Sequence, residues 1–354
     1  MPFLSAISSV DFPFRADQQE VKAYAQQLFG PVFPQVNRML PAFDHTGILT
    51  RNFCRPLASY GQEKGFREQN QAYIDTVIAY AIPAIESCIK QAGISGAELT
   101  DLVFISTTGL ATPSLDAWII NQMQLNPRIR RTPVFGLGCA GGVAGYARAS
   151  AAAQADPKAV VLLVAAELCS LTFLRNDTSK SNFIGSSLFA DGIVACIIKG
   201  DAHQAEEAPS FRYQAAYSRL YYDTLDVMGW EFMDEGFKVL FSQDIPGIIS
   251  KLIYPDVAHF LQQQGLEITD IRNFIFHPGG MKVLQAYEQI IPVKGDFLAQ
   301  TRDVMIHYGN MSSATVLYVL ERFFRRGFEP GYGLMLSLGP GFSAEMVLLK
   351  LGGN

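Results

Sequence analysis

Phe135-Gly136-Leu137-Gly138-Cys139-Ala140-Gly141-Gly142 sets a thiol in a glycine-flanked turn, ahead of a small-residue segment holding Ala144, Ala147, Ala149, Ala151 and Ala152. Glycines allow a sharp turn that presents the side chain, and free amide N–H groups at a helix start favour a thiolate. The segment therefore predicts a turn and helix with a low-pKa, nucleophilic Cys139. The other use of a free cysteine, as a buried small hydrophobe, is the reading for Cys54, Cys88, Cys169 and Cys196.

Working outward, the order of elements recurs. Leu99-Thr100-Asp101 leads into a predicted strand, Leu102 to Ser106, and Cys139 follows Asp101 by 38 positions. Ile268-Thr269-Asp270 leads into a second strand, Asn273 to Phe276, and Asn310 follows Asp270 by 40 positions. Asn310 also follows a glycine and precedes small residues, in Gly309-Asn310-Met311-Ser312-Ser313-Ala314. Further apolar strands begin at Val160 and Gly333, 21 and 23 positions beyond. The chain thus reads as two halves of similar α/β plan, residues 1–205 and 206–354, divided in the polar stretch Gly200 to Pro209. Short apolar strands such as Ile193 to Ile198 suit sheets covered on both faces.

Two helices frame this plan. Asp17 and Glu20 form a capping-box pattern before Val21, Tyr24, Leu28 and Phe29, with Gly30 as the stop. A second helical pattern runs from about Tyr73 to Gly93, with a kink predicted at Pro83.

The 354 residues, 49% hydrophobic and 17% charged, can bury one large core or two packed halves. A net charge of −5, with no Lys/Arg run longer than Arg130-Arg131 or Arg325-Arg326, argues against nucleic acid as a partner. Five widely spaced cysteines predict neither a disulfide framework nor a metal site. The N-terminus lacks a signal pattern, and the longest apolar run, Ala159 to Ala166, stops at Glu167; no membrane span and a cytoplasmic location are expected.

A thiolate needs a partner. Of five histidines only His277 follows an apolar strand and precedes a forced turn, in Phe276-His277-Pro278-Gly279-Gly280, where α/β proteins present reactive groups. A structural role for it stays open. Asn310, equivalent to Cys139 in the repeat, would meet it at one site if the halves pack about a pseudo-twofold axis. Its amide can donate to an oxyanion, and equally can cap a helix.

These residues resemble the type III polyketide synthases, relatives of chalcone and stilbene synthase within the thiolase superfamily. The resemblance rests on Ser106-Thr107-Thr108-Gly109, Gly138-Cys139, Glu167-Leu168-Cys169-Ser170, Leu188-Phe189-Ala190-Asp191-Gly192, Phe276-His277-Pro278-Gly279-Gly280, Gly309-Asn310-Met311-Ser312-Ser313 and Leu338-Gly339-Pro340-Gly341-Phe342. It is closest to bacterial members that make alkylpyrones from long fatty acyl-CoA starters. It implies an α/β thiolase fold, five-layered αβαβα and built from two duplicated halves, in a homodimer. It also implies a triad of Cys139, His277 and Asn310, with acyl-CoA and malonyl-CoA as substrates and no cofactor.

The resemblance makes Phe189 a gatekeeper between the CoA tunnel and the initiation cavity, and Gly339-Pro340-Gly341, with Phe342, a wall of the cyclisation cavity. Val239 stands where plant enzymes carry a second gatekeeper Phe, which implies a wider pocket for a long aliphatic starter, with Thr107, Thr108 and Thr112 as further lining. Arg51 and Arg55 fall where tunnel-mouth cations would meet CoA phosphates, or are solvated surface arginines. Rival members of the superfamily fit less well. A biosynthetic thiolase needs a second cysteine, absent from Gly339 to Glu345, and a hydroxymethylglutaryl-CoA synthase needs an acid, absent from Thr107 to Thr112. An initiating ketoacyl-carrier-protein synthase shares the triad, and a non-catalytic acyl-CoA-binding protein would not need an activated thiol.

Overall fold

The two Thr-Asp triplets open equivalent strands, β4 (Asp101–Ile105) and β11 (Ile271–Phe276), in a computed structural model that describes all residues except 32, 34, 204–209, 243 and 353–354. The expected division near residue 205 lies outside the described residues. Two half-sheets flank it. The first has the order β5 (Arg130–Val134), β4, β6 (Val160–Leu168), β7 (Asp191–Lys199), β1 (Phe3–Ser9). The second runs β8 (Ser210–Leu220), β13 (Ser343–Gly352), β12 (Gly331–Gly339), β11. They join where β1 meets β8, through Phe3 opposite Arg212 and Leu4 opposite Phe211.

The pairing directions match between halves: β4 and β6 are parallel as β11 and β12 are, and β6 opposes β7 as β12 opposes β13. The repeat breaks at one place. Among the described residues the second half has no counterpart of β5; α10 (Ala299–Tyr308) occupies that part of the chain.

Successive strand residues point to opposite faces, and here both faces are covered. On β6, Val161, Leu163 and Ala165 pack inward on α6 (Gly141–Ala155) and α11 (Ser313–Arg326), while Val160, Leu162, Val164 and Ala166 pack outward on α4 (Phe66–Gln91) and α5 (Leu115–Gln122). On β12, Met335 joins the inner cluster, and Leu334, Leu336 and Leu338 pack outward on α8 (Ile245–Gln263) and α9 (Met281–Ile290). The result is the five-layered αβαβα thiolase arrangement.

Helix α4 starts seven residues before the expected Tyr73 and runs on through Pro83. It is long and apolar enough to cross a membrane, but its face of Tyr73, Val77, Ala81, Ala84, Ile85 and Cys88 is buried on the first half-sheet.

In the middle layer the starts of α6 and α11 nearly touch. A Cβ on Gly142 would lie 2.2 Å from the Ser313 carbonyl oxygen and 2.6 Å from a Val316 methyl. The glycines after Cys139 are there to let two helices approach.

Smaller elements cover one end. Helix α1 (Gln18–Phe29), with the expected Asp17/Glu20 capping box, packs with α2 (Val36–Met39), α3 (Pro41–His45), α7 (Lys180–Leu188) and the ribbon of β2 (Phe14–Asp17) and β3 (Thr50–Phe53). A second ribbon pairs β9 (Met228–Met233) with β10 (Gly236–Phe241).

Candidate active site

Cys139 lies in a single 3-10 turn, Gly138–Ala140, just before α6. Gly136 and Gly138 adopt φ of 89° and 46°, conformations that L side chains rarely adopt, so the turn needs its glycines. The turn is tied down by the Gly138 N–H, which donates to Thr107 Oγ1 at 3.1 Å, and backed by Pro340, whose ring leaves no room for a side chain at Gly138. The Cys139 thiol points at the other half and donates to Ser312 Oγ at 3.8 Å.

Asn310 begins the equivalent turn. Its N–H donates to the Leu188 carbonyl (2.9 Å) and its carbonyl accepts from Ala190 N–H (2.8 Å), so Phe189 and Asn310 pair as a short parallel bridge. The side-chain amide donates to the Gly279 carbonyl at 3.0 Å, and Oδ1 accepts from Ser312 N–H at 2.9 Å. Ser312, at φ 50°, is one of only three non-glycine residues with positive φ among those described.

Gly279 belongs to the turn that follows β11, so the Asn310 amide fastens the His277 turn to its own. His277 is 3% exposed, and neither ring nitrogen has a hydrogen-bond partner among the described residues. Burial drives its pKa down to about 3, which keeps the ring neutral at physiological pH.

The thiol does not behave as the turn and helix start predicted. Burial, followed by the charge of Glu167, pushes the Cys139 pKa up to about 12, against the pull of hydrogen bonds to Ser312 and Asn310. Desolvation outweighs the few amides at the helix start. At rest the site therefore holds a protonated thiol and a neutral imidazole.

Glu167, fully buried at the end of β6, links the two turns. It accepts from Thr107 N–H (3.0 Å), Thr108 Oγ1 (2.9 Å) and Ser313 Oγ (2.6 Å), which join the Cys139 side to the start of α11. Burial raises its pKa to about 7. In the sequence Glu167 stands out only as part of a motif and as the acid that closes the apolar run Ala159 to Ala166, and that second signal is the one that marks it.

The remaining expected site residues fall in different places. Phe189 and Val239 line a large apolar cavity, with the Phe189 ring 6.0 Å from Trp230 and 5.6 Å from Phe241. Thr107, Thr112, Gly339, Pro340, Gly341 and Phe342 do not line it. Thr107 and Thr108 are buried against Glu167, with Thr108 reaching a second, smaller cavity; Thr112 is exposed. Gly339 backs the Cys139 turn, where a Cβ would come within 2.5 Å of Ala140, and Phe342 is core.

Arg51 sits at neither a tunnel mouth nor the surface. It is 1% exposed and donates from Nη1 to the Ser186 and Phe189 carbonyls at 2.9 and 2.6 Å, beneath the Phe189 segment. Arg55 is half-buried and donates to Gln69 Oε1 at 3.2 Å.

Comparison with known proteins gives a consistent result. The family profile "Chalcone and stilbene synthases, N-terminal domain" matches residues 56–202, and the corresponding C-terminal domain matches residues 213–351. The chain is 38% identical over 360 residues to a Bacillus subtilis (strain 168) protein that takes its name from chalcone synthase, covering 99% of both. It is 36% identical over 321 residues to 1,3,6,8-tetrahydroxynaphthalene synthase of Streptomyces peucetius subsp. caesius, covering 90% of this chain and 85% of that one. The crystal structure of 1,3,6,8-tetrahydroxynaphthalene synthase from Streptomyces coelicolor A3(2), described as a bacterial type III polyketide synthase, superimposes with a TM-score of 0.93. Identity there is 28%, with 99% of this chain and 100% of that chain covered.

Proposed function

The chain belongs to the chalcone and stilbene synthase family as a type III polyketide synthase, a condensing acyltransferase that works on CoA thioesters without a cofactor, and on that premise we propose that Cys139, His277 and Asn310 carry its chemistry, with a long-chain fatty acyl-CoA as starter. The observation that carries the triad is the convergence of the two repeat-related turns, with the Cys139 thiol directed at Ser312 and the unpartnered His277 ring fastened beside them through Gly279.

The proposed chemistry needs a neutral imidazole, which the burial of His277 provides. A neutral His277 accepts the Cys139 proton as sulfur attacks the starter thioester, and returns it to the departing CoA sulfur. With His277 neutral again, its N–H and the Asn310 amide hold the malonyl thioester oxygen, so that loss of CO₂ leaves a stabilised enolate. The enolate attacks the acyl group on Cys139 and sulfur leaves. Further rounds and ring closure give an alkylpyrone or an alkylresorcinol-type product. The apolar cavity lined by Phe189 and Val239, with Val239 in place of a second gatekeeper Phe and Trp230 beside Phe189, supports a long aliphatic starter.

Two further parts of the reading have physical support. The exposed edge strand β5 supports a homodimer, and five free cysteines suit a reducing cytoplasm. The test of the function is intact-protein mass spectrometry. Incubation with a fatty acyl-CoA adds one acyl mass, and Cys139→Ala abolishes the adduct. An adduct that survives in the variant removes Cys139 from the mechanism.

A further inference from the structure

The larger cavity has a wall that neither the triad nor the family motifs account for. Val21, Tyr24, Ala25, Leu28 and Phe29 line it from α1, at the i, i+3, i+4, i+7, i+8 spacing of one helical face. Leu57 and Tyr60 line it beside α1, and Cys169, Gly185, Phe189 and Val239 line it elsewhere, with Gly185 against Phe189 and Val239. Phe189 also pairs with Asn310 as a short parallel bridge, which sets this part of the cavity beside the turns that carry Asn310 and Cys139. The half-buried Tyr24, Leu28 and Leu57 mark the outer end, where the Tyr24 hydroxyl donates to the Ala58 carbonyl at 3.2 Å. Counting its open mouth, the space is about 650 Å³.

Most polar residues in this wall turn their donors elsewhere. Ser170 Oγ donates to Asp191, Asn182 donates to the Leu174 and Asp177 carbonyls, Ser186 Oγ donates to the Phe183 carbonyl, and Arg51 Nη1 to two main-chain carbonyls. Arg51 Nε and Nη2 keep no hydrogen-bond partner among the described residues, the guanidinium lying 5.2 Å from the centre of the Phe53 ring; apart from that group the lining is mainly hydrocarbon and aromatic surface, which suits an alkyl chain. The smaller cavity beyond Thr172 and Phe173 differs: Lys64, Gln69, Asn70 and Glu235 line it, within about 350 Å³.

We infer that the alkyl tail of the acyl group on Cys139 runs past Phe189 into the cavity beneath α1, and that Tyr24 and Leu28 set the longest starter accepted. This rests on the reading that Cys139 is loaded from a fatty acyl-CoA. The tail leaves water along the stripe that α1 would otherwise expose, so each methylene housed there adds to binding until the Tyr24 end is reached.

The test uses the wild-type protein first. Cys139 is loaded from a fatty acyl-CoA bearing a terminal diazirine, irradiated, and mapped by peptide mass spectrometry. Label within Gln18–Phe29 or Leu57–Gly61 is the expected result; label confined to Lys64–Asn70 or Glu235–Phe237 places the tail in the smaller cavity and overturns the inference. Variants give a second readout. In Leu28→Trp the ratio of kcat/KM for dodecanoyl-CoA to that for butanoyl-CoA should fall about tenfold or more, and Tyr24→Ala should shift the preference to longer chains. If both ratios stay at the wild-type value while condensation with malonyl-CoA proceeds, α1 does not set chain length. Absence of any acyl adduct on Cys139 in the wild type would instead defeat the functional reading beneath it.

Discussion

His277 shows what the site demands of single residues. In the unfolded chain its ring takes a proton near pH 6.5, whereas burial keeps it neutral down to about pH 3 in the fold. Across that window the unfolded chain binds the extra proton, so the stability associated with His277 is present above pH 6.5 and is lost as pH falls, by up to about 1.4 kcal/mol per unit. Glu167 runs the other way. Its carboxyl is raised from 4.5 to about 7, so its contribution is full below pH 4.5 and is lost as pH rises through 7. The two offset each other between pH 4.5 and 6.5, and a variant separates them. Urea denaturation at pH 7.5, 6 and 5 should show wild type losing stability relative to His277→Leu as pH drops; a constant gap would contradict the assigned burial. The turns that carry Cys139, His277 and Asn310 were legible because glycine and proline mark them in the sequence. The direction of the Cys139 shift was not, because local sequence carries the helix start but not the depth of burial that outweighs it.

Between elements, the decisive contact is that of α6 with α11. Gly142 has Ser313 and Val316 within 2.6 Å of where a Cβ would sit, and two backbones cannot yield as a flexible side chain would. Gly142→Ala should therefore lower stability by about 1–3 kcal/mol or more. It should also slow acyl loading, since separating the helices moves the Cys139 turn from the Asn310 turn. Thermal denaturation with adduct kinetics checks both; a variant with wild-type Tm and loading rate would show that the helices have slack. The repeat of strand, turn and helix was readable from spacing alone, since each unit is continuous in sequence. The strand pairings at the centre were not. Phe3 finds Arg212 across the whole first half, a register that no local pattern encodes. The cavity face of α1 was visible as an apolar stripe, but a stripe does not say whether core or ligand will cover it.

Over the whole molecule, the first half-sheet ends in an uncovered strand. Most of β5 is solvent-exposed, with Phe135 just beyond it and Trp118 on α5, which is tied to the strand through Arg131 and Asp116. Unpaired strand edges beside exposed aromatic rings invite association with a second copy. Sedimentation equilibrium should give twice the chain mass, and the double variant Thr132→Asp, Phe135→Asp should give one chain mass. A wild-type monomer would exclude this edge as an interface. The matching halves also carry a history. Two separate copies of one ancestral repeat, paired about a dyad, would have set the same residue at both turns, because symmetry forbids a difference there. Joining the copies in one chain lifts that restriction, which is what lets one turn hold a sulfur, Cys139, and the other an amide, Asn310.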